Sequence, residues 1–215
     1  METSTSTNIL NVAFLNIQGQ LKFTQARKDQ IEHIIKAFHL DILHLQETNI
    51  SDGEFDLCHH ISNNFQIIAQ NNESGFGVCS IIHKRFVIEN LFLHPSGRII
   101  CFDIEDLTLV NLYMPSGAEA KQDRENLIGQ DIPNLLFQKP RGLAGGDWNT
   151  ITAPIDCTNL PEQKMSPNLK RLIKISKWSD TFRSLHPKKV AYSHFYSRQM
   201  SFFFLLTTMQ WGAPG

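Results

Sequence analysis

The sequence lacks any Cys-x-x-Cys pair. Its four cysteines are scattered along the chain and stand mostly inside apolar runs: Cys58, Cys79, Cys101 and Cys157. Cysteines placed in this way are typical of buried free thiols. We therefore expect a reducing compartment, nuclear or cytoplasmic.

Long apolar runs are also missing. The longest late run, Phe202 to Leu206, is far shorter than the roughly 20 residues that cross a bilayer. Residues 1–7 form a Ser/Thr tract without the basic start and apolar stretch of a signal peptide. We expect a short disordered lead over 1–7, no secretion and no membrane association. With 215 residues, 41% hydrophobic and 19% charged, the chain suits one globular domain, and we expect a monomer.

Net charge is small, −1, but the basic residues are concentrated in one region. Nine of them fall between Lys164 and Arg198, against the single acid Asp180. Such a run could face the phosphates of DNA, or it could be only the solvated face of a helix. The candidate DNA-binding residues are Lys164, Lys170, Arg171, Lys174, Lys188, Lys189 and Arg198.

Hydrophobic patterning predicts an alternation of strands and helices. Asn8 to Asn16 is almost continuously apolar, which indicates a strand buried on both faces. A helix is predicted over Thr24 to His39, with Thr24 as its N-cap, and a second buried strand over Asp41 to Gln46. Together they predict a parallel β-α-β start.

Further along, four short β-rich runs with turn residues between them predict a hairpin meander: 65–70, 77–83, 86–93 and 98–104. Another strand is predicted over Leu107 to Tyr113. Then come a helix over Glu119 to Phe137 interrupted near Pro133, a short strand leading into Gly145, and a last helix over Pro167 to Ser184. The whole predicts an α/β layered architecture.

Several of the predicted buried strands end in a polar residue. Such residues meet in space when neighbouring strands end at one edge of a sheet, where ligands bind in open α/β folds. Glu47 and Asp147 are hard oxygen ligands of the kind that Mg²⁺ prefers. Asn16 and Asn149 can hold a phosphate oxygen or a water, and the Tyr113 hydroxyl can donate to the same phosphate.

Each of these residues has an ordinary structural explanation when taken alone. Glu47 could cap a helix, Asp147 could be a turn residue after two glycines, Asn16 could end a strand, and Tyr113 could be a half-buried aromatic. Only their joint order favours a site.

That order resembles the endonuclease/exonuclease/phosphatase superfamily. The segments 15–19, 45–48, 111–115 and 145–149 look like its successive motifs, and 178–187 and 192–196 resemble the helix and strand that follow in exonuclease III-like enzymes and in LINE-type retrotransposon endonucleases. The resemblance runs from Ile9 to Arg198, so we expect one domain over 8–198.

This resemblance implies a deoxyribonuclease I-like four-layer α/β sandwich, two mixed β-sheets flanked by helices. It implies a Mg²⁺-dependent DNA endonuclease, similar to AP endonucleases and derived from a retroelement, with Mn²⁺ as a possible substitute. Preference for abasic sites, for a target sequence or for DNA ends stays open. The expected metal ligands are Glu47, Asn16 and Asp147, the expected catalytic residues are Asn16, Glu47, Tyr113, Asp147 and Asn149, and the expected reaction is in-line hydrolysis of a phosphodiester.

The resemblance ends at the C-terminus. Members of the superfamily continue with a Ser-Arg-Ile-Asp-like strand and an Asp-His pair, whereas no Asp or Glu follows Asp180 here, and residues 199–215 read as a divergent tail. We therefore expect the C-terminal strands to be missing and turnover to be low, because a donor that stabilises the transition state would be lost. Two alternatives stay open: a catalytically inactive nucleic-acid-binding remnant, or a phosphatase-branch member of the same superfamily.

Overall fold

A computed structural model describes residues 9–18, 25–48, 63–71, 77–136, 139, 141–157, 165–176, 178–190 and 207–210. The strands are β1 (Ile9–Asn16), β2 (Ile42–Gln46), β3 (Phe65–Asn71), β4 (Gly77–His83), β5 (Glu89–Leu93), β6 (Ile99–Ile104), β7 (Leu107–Tyr113), β8 (Gly142–Asp147) and β9 (Thr207–Gln210). The helices are α1 (Gln25–Ala37), α2 (Lys121–Asn126), α3 (Ile132–Leu136), α4 (Pro167–Ser176) and α5 (Thr181–Leu185). A π-helical turn, Leu127–Asp131, joins α2 to α3, and a 3₁₀ turn covers Pro154–Asp156.

The strands form two mixed sheets. The first sheet has the order β3-β4-β2-β1-β9 and the second has the order β5-β6-β7-β8. In the first sheet β1 and β2 run parallel, and in the second β7 and β8 run parallel; the other strand pairs are antiparallel. The predicted parallel β-α-β start is confirmed, with α1 as its crossover.

Three apolar clusters separate four layers. The first cluster packs Ile31, Ile34 and Ile35 of α1 on the outer face of the first sheet. The second lies between the sheets and includes Phe14 and Phe102. The third packs α3 and α4 on the outer face of the second sheet, through residues such as Ile132, Leu169 and Leu172. The predicted four-layer sandwich of two mixed sheets flanked by helices is therefore confirmed.

The predicted meander is wrong. The structure divides those four strands into two hairpins, β3-β4 and β5-β6, which belong to different sheets because β4 pairs with β2. The predicted strand over 86–93 starts only at Glu89, since Phe86 and Ile88 pack against the cluster between the sheets as the chain crosses over.

The last predicted helix is also corrected, because it is two helices. Asp180 has an extended backbone, and its carboxylate accepts a hydrogen bond from the Arg183 N–H, so it caps α5 instead of continuing α4. Ile175, an apolar residue of α4, is exposed. The predicted interruption near Pro133 is a π-helical turn just before that proline, which has no N–H to give to the preceding turn.

Strand β9 was not predicted. It lies within the divergent tail and pairs antiparallel with Ile9 to Val12 of β1, at one edge of the first sheet. The predicted cap Thr24 and the motif segment 192–196 lie outside the described residues. Of the cysteines within them, Cys79 and Cys101 are buried, as expected, and Cys157 is partly buried. No helix in the described part of the chain is long and apolar enough to span a membrane.

Candidate active site

The predicted site residues stand at the carboxyl ends of two pairs of parallel strands. Asn16 is the last residue of β1 and is paired with Gln46, which ends β2 and precedes Glu47. Tyr113 and Asp147 end β7 and β8 and are paired with each other. Parallel strands finish at the same edge, so each sheet presents its polar residues together.

The side-chain amide of Asn16 joins the two sheets. Its Nδ2 donates to Glu47 Oε1 at 2.8 Å and to Asp147 Oδ2 at 2.8 Å. The Gln18 backbone N–H donates to Asn16 Oδ1 at 2.8 Å. Because a backbone N–H can only donate, this bond fixes which end of the amide is oxygen and directs the nitrogen toward the carboxylates. The two acids therefore meet on one donor.

Two site residues have left-handed backbone, although neither is glycine. Glu47 has φ +53° and Asn149 has φ +46°. Backbone hydrogen bonds on both sides hold Glu47 there: Ile17 N–H to the Gln46 carbonyl at 3.0 Å and Thr48 N–H to the Gly77 carbonyl at 3.2 Å. Such conformations cost about 1–3 kcal/mol each and concentrate at functional sites.

Asp147 is fixed through both of its oxygens. While Oδ2 accepts from Asn16, Oδ1 accepts the Asn149 backbone N–H at 2.9 Å. The Asn149 side chain donates through Nδ2 to the Met114 carbonyl at 2.8 Å, and its Oδ1 has no partner among the described residues. The backbone of Asn149 is thus fixed beside the Asp147 carboxylate, and the Asn149 Oδ1 retains accepting capacity.

Tyr113 is buried, with 5% of its surface exposed. Burial raises the pKa of its hydroxyl, and the negative charges of Glu47 and Asp147 raise it further, against a hydrogen bond from Ser116 and the charge of Arg98. The hydroxyl therefore stays protonated at neutral pH and can donate a hydrogen bond.

Arg98 belongs to the same region, although the sequence analysis did not single it out. Its guanidinium lies over the Tyr113 ring, 4.9 Å from the centroid. The pairing explains the contact: β6 and β7 are antiparallel, so the residue before β6 reaches the end of β7, where the Tyr113 N–H donates to the Arg98 carbonyl at 2.9 Å. The sequence feature that could have identified Arg98 is its position between a turn glycine, Gly97, and the start of a strand.

The donor set fits Mg²⁺. Two carboxylates lie within 2.8 Å of one nitrogen, and in the described part of the chain no third His, Cys, Asp or Glu groups with them. Mg²⁺ characteristically takes one or two carboxylates and completes its octahedron with waters and substrate phosphate. The Asn16 side chain directs its nitrogen, and not its oxygen, toward Glu47 and Asp147, and its hydrogen bonds hold the two carboxylates in position. Its role as a metal ligand stays a prediction.

The predicted DNA-binding residues are partly described. Lys170, Arg171 and Lys174 are exposed on α4, and Lys188 and Lys189 are exposed after α5. Lys164 and Arg198 lie outside the described residues. Within the described residues, no hydrogen bond or ion pair joins these five side chains to the carboxylate pair, so their role stays a prediction.

Solved structures share this fold. An AP endonuclease from Archaeoglobus fulgidus superposes with a TM-score of 0.69 at 20% identity, over 88% of this chain and 79% of that one. A 3′-5′ exonuclease from Neisseria meningitidis gives 0.71 at 18%, over 88% and 80%. The Neisseria 3′ phosphatase NExo bound to a product DNA hairpin gives 0.69 at 16%, over 94% and 86%. The deoxyribonuclease I-like fold is confirmed. No family profile and no curated protein matches the sequence.

Proposed function

We propose that this chain hydrolyses phosphodiester bonds of DNA with the help of a divalent metal ion. One observation carries the proposal: Glu47 from one sheet and Asp147 from the other converge on the Asn16 amide at the carboxyl ends of the strands. Two carboxylates at such an edge suit a metal ion and a phosphate ester, and the fold is one on which DNA-processing enzymes are built.

Each site residue has a separate role in the proposed reaction, assigned from its position and hydrogen bonds. Asp147 and Asn149 hold a water between a carboxylate and an amide oxygen, and Asp147 accepts its proton as the water attacks phosphorus. The Tyr113 hydroxyl, kept neutral by its raised pKa, donates to a phosphate oxygen. In-line attack then breaks the bond between phosphorus and the leaving 3′-oxygen, which takes up a proton from water, and the products are a 5′-phosphate and a 3′-hydroxyl.

Glu47 and Asp147 would hold Mg²⁺, with Mn²⁺ as a substitute. The ion would supply neutralisation of the phosphate charge and polarisation of the ester bond. Glu47 is suited to this position because its left-handed backbone and the hydrogen bonds around it fix the direction of the side chain.

DNA is the proposed substrate, and the support comes from two sides. One of the similar structures, the Neisseria 3′ phosphatase NExo, is bound to a product DNA hairpin. On this chain Lys170, Arg171 and Lys174 are exposed on α4, where they could contact the phosphate backbone. A retrotransposon origin is part of the proposal because of the motif order, and a nuclear or cytoplasmic location is part of it because of the scattered cysteines.

The test is nicking of supercoiled plasmid by the purified chain, with Mg²⁺ and with EDTA. We expect Mg²⁺-dependent nicking that Asp147→Asn abolishes. Asp106→Asn is the matched control, because Asp106 lies exposed in the turn between β6 and β7, at the opposite end of β7 from Tyr113. Nicking that persists in Asp147→Asn would refute the assignment.

A second candidate is DNA binding without turnover. It is favoured by residues 199–215, whose sequence departs from the superfamily pattern and contains no Asp or His. Salt-sensitive binding without nicking, in both Mg²⁺ and Mn²⁺, would support this candidate over the first.

A further inference from the structure

Beneath the candidate site lies a layer of contacts between the two sheets. On each of the four strands that lead into the site, the residue two positions earlier takes part in these contacts: Phe14, Leu45, Asn111 and Gly145 come before Asn16, Glu47, Tyr113 and Asp147. Phe14 faces Gly145, and Asn111 reaches the backbone of Leu45. The position of the site therefore depends on how the sheets meet in this layer.

Both the nitrogen and the oxygen of the Asn111 side chain form hydrogen bonds from one sheet to the other. It is fully buried on β7, in the second sheet. Its Nδ2 donates to the Cys79 carbonyl at 2.9 Å and the Leu45 carbonyl at 3.2 Å, and its Oδ1 accepts from Gln46 Nε2 at 2.8 Å. All three partners belong to the first sheet.

These bonds are directional, whereas the apolar contacts around them are not. Leucine and phenylalanine side chains tolerate a small slide of one sheet over the other, but a buried amide that loses its partners costs free energy. The Asn111 bonds therefore favour one relative position of the sheets.

We infer that Asn111 is a positioning residue, whose bonds to β2 and β4 set the offset between the sheets at which Glu47 and Asp147 reach the same Asn16 amide. Few residues separate Asn111 and its partners from either acid. Leu45 and Gln46 directly precede Glu47, and Asn111 pairs with Gly145, two residues before Asp147. Where it concerns metal binding, this inference rests on the proposed function.

The first experiment observes the geometry without any metal. The side-chain amide resonances of Asn16, identified by their loss in Asn16→Ala, report its two bonds to carboxylates. We expect them to move in Asn111→Ser and to stay in place in Val110→Ala. Val110 is a matched control because it is equally buried on β7 but faces the helix layer.

Unchanged Asn16 resonances in a folded Asn111→Ser would overturn the inference, as would an equal change in Val110→Ala. If Asn111→Ser does not fold, Gln46→Met is used in the same comparison, because it removes one bond of Asn111 and leaves the two carbonyl bonds. A smaller movement of the same resonances is then expected, and no movement refutes the inference.

The second experiment measures Mg²⁺ affinity from calorimetric titration. Loss of a residue that orients metal ligands commonly weakens affinity by about 10- to 100-fold, and we expect a loss in this range for Asn111→Ser and none for Val110→Ala. Equal affinities in the two variants would contradict the positioning role. If the wild type itself shows no Mg²⁺ binding that depends on Glu47, the proposed function fails, while the amide resonances still decide the geometry.

Discussion

The ring of Phe14 occupies the space that a side chain at residue 145 would need. A Cβ built on Gly145 would lie 2.5 Å from the Phe14 ring atoms Cε2 and Cζ. The close approach of β8 to β1 therefore requires glycine at this position, and the same approach brings Asp147 to Asn16.

Gly145→Ala should therefore lower both the free energy of unfolding and the affinity of the candidate site for Mg²⁺. Overpacking of a tight contact costs about 1–3 kcal/mol, and relief by separation of the sheets would carry Asp147 away from the Asn16 amide. Denaturant unfolding measures the first effect and Mg²⁺ titration the second. Gly142→Ala on the same strand is the control, because its Cβ would meet a flexible Leu136 methyl group at 3.2 Å and lie in ordinary contact, at 3.8 Å, with Thr108 and Trp178. Equal effects of the two substitutions would count against this explanation.

Removal of the Glu47 charge should weaken Mg²⁺ binding by at least about 10-fold, since an acid that contacts the ion is lost. Glu47→Gln retains an oxygen for the Asn16 amide, so the fold should be preserved. Calorimetric titration measures the affinity. Glu89→Gln, at an exposed acid on the edge strand β5, should leave it unchanged. An affinity that is the same in all three proteins would remove Glu47 from the proposed metal site.

Tyr113→Phe should lower the nicking rate by about 10²-fold, the usual effect of removing one donor to a developing negative charge. The ring and its contact with Arg98 are retained, so DNA affinity and thermal stability should remain close to wild type. Single-turnover nicking and fluorescence anisotropy separate the two effects. A loss of affinity equal to the loss of rate would show that the hydroxyl acts in binding alone.

Acid should destabilise the protein through His44. This histidine is fully buried between Phe14 and Phe102, and burial lowers its pKa to about 3. The folded state therefore keeps His44 neutral while the unfolded chain takes up a proton. Stability from this source is fully present above about pH 6.5 and is lost as the pH falls toward 3, with about 2 kcal/mol gone by pH 5.

The pH effect is measured as the difference in unfolding free energy between pH 7.5 and pH 5. In His44→Gln the decrease should be smaller by about that amount. His33→Gln, at an exposed position on α1, is the matched control for removal of a histidine. A decrease of the same size in wild type and His44→Gln would show that other groups cause the acid sensitivity.

Charge reversal of Lys170, Arg171 and Lys174 should weaken DNA binding and reduce its salt dependence, since each phosphate contact contributes close to one unit of salt slope. Lys84→Glu provides the control. Lys84 follows β4 at the opposite end of the first sheet from Glu47, because β4 begins where Thr48 bonds to Gly77. Lys84→Glu reverses one charge against three, so a loss of binding free energy of about one third of that in the triple variant would indicate a nonspecific effect of net charge.

The sequence predicted well those features that are local. The strand Leu107–Tyr113 was predicted with its exact bounds and Ile9–Asn16 to within one residue, because apolar patterning and turn residues identify such elements without reference to partners. The candidate site residues could be predicted for the same reason, because each follows or ends a strand that local patterning identifies. That Asn16, Glu47 and Asp147 lie together is an observation; their chemical roles stay predictions.

What the sequence could not predict depends on contacts between distant segments. Nothing in Gly77 to His83 says that it pairs with β2 as well as β3, and nothing in Thr207 to Gln210 indicates a place beside β1. Asn111 and Gln46 were read only as parts of motifs, since a polar residue in an apolar strand reveals no partner until both sheets are assembled. The orientation of the Asn16 amide was likewise unpredictable, because it depends on a single N–H from Gln18.

The left-handed backbone of Glu47 means that selection for stability alone would not keep this residue. Glycine adopts φ +53° without steric cost, and its larger chain entropy offsets only part of that advantage. A chain freed from any demand on its activity would therefore drift toward glycine or asparagine here. An acid at this φ makes the folded state less stable than glycine would. Variants evolved solely for thermal tolerance should therefore lose the carboxylate at position 47 early.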